Sequence, residues 1–159
     1  MSTPLVAVPS PPASPTGTTV AADDFFPEID CLAVRDALRL SDAVTHVRLV
    51  EAIRGGLITV LDQLTNWRAA RLAEGYANLS EIEPDRIIDD ATRLEHLFQR
   101  AVRFYAAAEL AELHRDVSAT EAGQARADIQ LLTAADYRRL GIQAVRDMLG
   151  TSRIAVELI

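Results

Sequence analysis

THVRLVEAIRGGLITVLDQLTNWRAARLAEG, residues 45–75, carries Val50, Ile53, Leu57, Val60, Leu64 and Trp67 at alternating spacings of three and four. That spacing places all six on one seam of an amphipathic helix. Thr45 suits the N-cap, and Gly75 falls where a left-handed terminator belongs. Gly55 and Gly56 interrupt the pattern, and each costs a helix about 1 kcal/mol relative to alanine. Two adjacent glycines near the middle fit a bend or a close backbone approach by a neighbour, and equally a defect tolerated in a well-buried helix.

Working outward from this helix, the chain reads as a small all-α bundle. Upstream, Asp30 is placed to cap a short helix ending at Leu38 or Leu40. Downstream, residues 76–88 form a connection in which Tyr76, Leu79 and Ile82 turn inward and Pro84 blocks a helix. Asp89 and Asp90 are expected to open a second long helix reaching Arg115, with Leu94, Leu97, Phe98, Ala101, Tyr105, Ala108 and Ala111 inward. Small polar residues from Asp116 to Gly123 make a link. A third long helix is expected to follow as far as Leu149, carrying Ile129, Leu132, Tyr137, Leu140 and Val145.

The two ends differ from the bundle. Five of the seven prolines lie in residues 1–22, and proline removes backbone donors, so an extended arm is expected there, with order beginning near Asp23. In residues 151–159, Ile154, Val156 and Leu158 alternate with Arg153, Ala155 and Glu157, a strand pattern. A lone strand in a helical chain has no partner of its own, so it is expected to pair between subunits. The organisation is thus an arm (1–22), a helical bundle (23–150) and a pairing strand (151–159).

Chemistry is sparse. All 16 basic residues are arginine, and 23 acids bring the formal net charge to −7. Without lysine there is no Walker A loop and no Schiff-base chemistry, and an acidic chain does not neutralise DNA phosphates over a broad face. The single cysteine, Cys31, closes no intramolecular disulfide, and none of the ten glutamates has a histidine three residues later. His46, His96 and His114 are isolated; Asp23-Asp24 and Asp89-Asp90 read as caps and dipole partners rather than metal ligands. Arg100 with Arg103 and Arg138-Arg139 are the densest basic spots, and they suit salt bridges to a neighbour better than a nucleic-acid groove. No enzyme, metal site or cofactor is expected. No apolar run approaches the ~20 residues that span a bilayer, and residues 1–22 lack arginine, so the chain reads as soluble and cytoplasmic rather than exported.

Phe25-Phe26-Pro27-x-Ile29-Asp30, then Arg48-Leu49-x-Glu51-Ala52-Ile53-Arg54-x-Gly56, stand in the order seen in one family. Gly75-Tyr76 with Leu79, Arg100-Ala101-Val102, Ala127-Asp128 and a terminal strand at Arg153-Ile154 continue the match. From Phe25 onward the chain resembles the phage head completion (head–tail connector) proteins of contractile-tailed temperate phages, the GpL type. It departs from them in having no lysine, so no basic contact is carried over. The resemblance implies a structural virion protein at the neck, assembled in the host cytoplasm. Such a protein binds the portal vertex of a DNA-filled capsid as a ring, expected to be a dodecamer. It retains and protects packaged DNA and offers a docking surface to the tail. Implied partners are other copies of itself, the portal protein and a tail-side completion or tail terminator protein, with DNA passing through without sequence-specific binding. Phe25, Phe26, Pro27 and Ile29 in front, and Arg153, Ile154, Val156 and Leu158 behind, are the expected contacts with portal or neighbouring subunit. The alternative is a stand-alone helical adaptor or regulator that binds a bacterial partner as monomer or dimer.

Overall fold

Helix starts in this chain are set by side chains that accept the free N–H groups of a first turn. In the computed structural model, which describes residues 14–117 and 132–150 (side chains of 114–117 excepted), Asp30 caps α1 (Cys31–Leu38) by accepting from the Ala33 N–H. Thr45 caps α2 (His46–Ala73) by accepting from Arg48. The next long helix, α3 (Arg93–Val117), opens on a reciprocal box. The Glu95 carboxylate accepts from the Thr92 N–H at 2.7 Å, and the Thr92 hydroxyl accepts from the Glu95 N–H at 3.3 Å. Thr133 and Asp136 form the same box at the start of α4 (Ala134–Met148).

Two of these starts correct the expectations from sequence. Asp89 and Asp90 do not open a helix. They have φ of 47° and 64° and form the tight turn of a hairpin between β3 (Ile87–Ile88) and β4 (Ala91–Thr92). Aspartate tolerates left-handed backbone, and two successive positive-φ residues suit a two-residue hairpin loop. The third long helix begins only at Ala134, because the Thr133 box fixes its first turn; residues 118–131, including Ile129, lie outside the described residues.

A second hairpin reaches upstream of Asp23, where order was expected to begin. β1 (Thr19–Val20) pairs antiparallel with β2 (Ile29–Asp30), so the chain is already part of the fold upstream of Asp23. The Cys31 N–H extends this pairing to the Thr18 carbonyl at 3.0 Å. The fold is therefore mainly helical with two small antiparallel ribbons among the described residues. Residues 1–13 and the expected pairing strand at 151–159 lie outside them.

Packing centres on α3, which lies between α2 and α4. From α2, Leu49, Ile53, Val60 and Leu64 are fully buried, and α3 answers with Leu94, Phe98, Val102 and Ala106. The edges of the predicted α2 seam, Val50 and Trp67, are only partly buried. On α4 the inner face shares Val145 with the expected one but is otherwise offset from it, made of the small residues Ala134, Gly141 and Ala144 together with Met148. Leu132 and Leu149 stay exposed. Tyr105 of α3 takes up the space, its ring lying about 3.0 Å from where a Gly141 Cβ would sit.

Candidate interaction surfaces

The Phe25-Phe26-Pro27 motif is shaped by Asp23, whose Oδ1 accepts from the Phe25 and Phe26 N–H groups at 3.0 and 3.3 Å. The other oxygen, Oδ2, pairs with Arg68 of α2 at 2.8 Å. That guanidinium also lies over both rings, 5.5 Å from Phe25 and 6.0 Å from Phe26. Phe26 stacks on Phe98 of α3 with centroids 4.5 Å apart, and the Phe25 carbonyl accepts from the Leu79 N–H at 2.9 Å. The motif therefore ties α2, α3 and the Leu79–Glu81 turn together. Phe25, Phe26 and Ile29 are buried in the subunit's own core, where together with Phe98 they provide the apolar surface that closes this end of the bundle. Pro27 alone is half-exposed, lining a shallow recess with Asp24 and Glu95.

A buried arginine joins this region to its surroundings. Arg35 of α1 is only 5% exposed and donates to three neutral acceptors: Ser14 Oγ at 2.9 Å, the Ser41 carbonyl at 3.2 Å and the Val44 carbonyl at 2.7 Å. Ser14 is fully buried and also lies 3.2 Å from His46 Nδ1. The fork of N–H groups that only arginine carries thus pins the upstream chain to the α1–α2 connection. Nothing in the sequence singled out Ser14 or Arg35. Cys31 is fully buried beside them, and burial raises its thiol pKa, the opposite of what a nucleophile needs.

Gly55 and Gly56 face α3. A Cβ on Gly56 would lie 2.6 Å from the Val102 carbonyl oxygen and 3.1 Å from the Ala106 nitrogen, both backbone atoms. At Gly55 a Cβ would meet only the carboxylate of Glu109. Burial, and then the charges of Glu51 and Glu112, raise the pKa of Glu109.

Along the other side of α3 runs a groove of about 480 Å³ between α3 and α4, floored by Leu97, Leu140 and Ala144 and bordered by Arg100 and Arg139. Beside it, the guanidiniums of Arg100 and Arg103 both lie over the Phe104 ring, 5.0 and 5.6 Å from its centroid. No carboxylate among the described residues forms an ion pair with Arg100 or Arg103. Arg139 reaches Asp136 at 3.4 Å, while Arg138 turns away to Glu112. Of the two basic spots read from the sequence, the structure brings Arg100 and Arg139 to one groove, with Arg103 beside it over Phe104, and leaves Arg138 outside it. The spacing of Phe104 one residue after Arg103 and four after Arg100 was the available signal.

The β3–β4 hairpin is the most conspicuous apolar projection. Ile87 and Ile88 are 62% and 54% exposed, and Asp85, Asp89 and Asp90 around them are exposed as well. His96 Nε2 lies 2.6 Å from the Ile88 carbonyl oxygen, which can only accept, so the proton is on Nε2. The Arg93 N–H donates to the Arg86 carbonyl at 2.7 Å. These bonds anchor the hairpin to the first turn of α3. Among the described residues no trio of His, Cys, Asp or Glu side chains is arranged to hold a metal ion, and no helix is long and apolar enough to cross a membrane.

Taken together, these features define a mainly helical subunit that carries an exposed apolar hairpin and an arginine-edged groove. The chain belongs to the phage head completion protein (GPL) family, whose model matches residues 20–159. It is 35% identical over 104 residues to the head completion/stabilization protein of Escherichia phage P2, an alignment covering 65% of this chain and 61% of that relative. No solved structure matches.

Proposed function

We propose that this chain completes the phage head by binding the portal vertex of the DNA-filled capsid as a ring. There it retains and protects the packaged DNA and presents a docking surface to the tail. The observation that carries this reading is the match to a head completion family over residues 20–159. The partners are further copies of the same chain, expected to number twelve, the portal protein, and a tail-side completion or tail terminator protein. Its place is the virion neck.

The charge balance supports passage of DNA rather than binding to it. With a net charge of −7, a ring lumen lined by acids repels the phosphate backbone, whereas a basic lumen would trap it. Residues 151–159, with Ile154, Val156 and Leu158 on one side of an alternating segment, serve as a strand that pairs between subunits.

DNA-filled heads lacking this protein provide the test. Adding the purified chain should make the packaged DNA resistant to nuclease and allow tails to attach; heads that stay nuclease-sensitive and tailless would refute the reading. Removing residues 152–159 should leave the helices folded, by far-ultraviolet circular dichroism, while abolishing assembly on heads. Loss of helicity on that truncation would instead place the segment in the subunit's own core.

A further inference from the structure

We infer that the β3–β4 hairpin of one copy of this chain docks into the α3–α4 arginine groove of the next. This contact rests on the ring reading above and gives it a physical interface.

The two surfaces are complementary in both shape class and charge. The hairpin is a narrow projection with two exposed isoleucines and three exposed aspartates, Asp85, Asp89 and Asp90. The groove is a concave apolar floor, Leu97 and Leu140, edged by arginines. In a chain with seven more acids than bases, this local excess of positive charge stands out. Arg100 and Arg103 have no carboxylate partner among the described residues, and their stacking on Phe104 holds both guanidiniums in place beside the groove. Asp147, at the groove's end, accepts from the Gln143 amide at 2.8 Å.

Within one subunit the two surfaces do not meet. His96 and Arg93 fix the hairpin at the start of α3, and no hairpin residue lines the groove. The hairpin is also preorganised, its turn closed by two positive-φ aspartates, so docking orders little chain. A projection that fits a different patch on the next copy is a heterologous contact, the kind that propagates and closes into rings.

Charge exchange tests the pairing. Asp89→Arg with Asp90→Arg, or Arg100→Asp with Arg103→Asp, should each weaken self-association of the full chain at least about tenfold. Combining all four should restore it. Arginine is not barred from the turn, since Arg39 adopts φ of 52° in this chain. A combined variant no better than either pair overturns the proposal. Mixed variants that each add one cysteine to the buried native Cys31, Ile87→Cys in one chain and Gln143→Cys in the other, supply an independent measurement. Oxidation should yield a disulfide-linked dimer from the mixture, both in concentrated solution and on completed heads, and little from either variant alone. Heads that the wild-type chain completes while the mixture gives no linked dimer would sink the pairing and leave head completion standing. Linked dimer in solution with heads left incomplete would sink head completion and leave the pairing.

Discussion

Replacing Gly56 with alanine should destabilise the subunit, whereas the same change at Gly55 should not. The Gly56 Cβ would lie 2.6 Å from the Val102 carbonyl oxygen and 3.1 Å from the Ala106 nitrogen. Neither atom belongs to a movable side chain, so α2 and α3 must separate along their closest approach. Overpacking of this kind costs about 1–3 kcal/mol, and the upper half of that range applies where two backbones must shift. Alanine returns about 1 kcal/mol of helix propensity, leaving a net loss of about 1–2 kcal/mol. For a chain of this length that lowers the melting temperature by about 2–8 °C. At Gly55 the obstacle is the Glu109 carboxylate, the far end of a flexible side chain. Its displacement is cheap, so about 0.5–1 kcal/mol of the propensity gain should survive. Urea melts followed by far-ultraviolet circular dichroism give both numbers with the wild type as reference. A Gly56→Ala subunit as stable as wild type, or a Gly55→Ala subunit the weaker of the two, would refute the close-approach reasoning.

Three further outcomes follow from particular residues. Glu109→Gln should raise stability at neutral pH: with its folded pKa raised, the native state binds the extra proton, so stability falls as pH climbs from the unfolded value of about 4.3 through the folded one. Near pH 4, melting temperatures of variant and wild type should converge. Arg35→Leu strands the Ser41 and Val44 carbonyls and the Ser14 hydroxyl and should cost about 2–4 kcal/mol. Arg35→Lys should recover only part of this, and limited proteolysis should show new cleavage upstream of Asp23 in the leucine variant. Cys31, fully buried with a raised pKa, should react with iodoacetamide at least about a hundredfold more slowly in the native protein than in urea; comparable rates would mean that this end of the fold opens readily.

The parts of the fold written in local pattern were legible. The α2 seam of Ile53, Leu57, Val60 and Leu64, the Asp30 and Thr45 caps, and the Gly56 position all depend on spacing or on a single side chain meeting its own first turn. The parts that were not legible depend on tertiary partners. Asp89-Asp90 look like a helix start until the Thr92–Glu95 box one turn later is weighed against them; that Thr-x-x-Glu pattern was present in the sequence. The Phe25-Phe26-Pro27 motif reads as an exposed anchor because nothing local shows that Arg68 and Phe98, more than 40 and 70 residues away in sequence, receive it. Ser14 is similar: a serine in a proline-rich arm gives no hint of a buried arginine. The groove was half-visible, since the arginine clusters could be counted but their convergence across α3 and α4 could not.

The burial of the Phe25 and Phe26 rings bears on where assembly contacts lie. A side chain that closes the subunit's core is unavailable to a neighbour unless the core opens, and exposing Phe26 alone would cost about 3 kcal/mol or more. Contacts that form without that loss must use groups already at the surface. On the described residues these include the hairpin isoleucines, the arginine groove and outward apolar side chains of α2 such as Val47 and Ile58. The first two are opposite in charge and the third is neutral. The Arg35 fork and the phenylalanine cluster hold the subunit folded, and the charge-bearing surfaces outside them are, on the pairing proposed above, where copies meet. Asparagine at Asp89 and Asp90, which keeps the left-handed turn while removing its charge, and glutamine at Arg100 and Arg103 should therefore alter association while changing the melting temperature little, whereas substitutions at Phe26 or Arg35 should lower the melting temperature first.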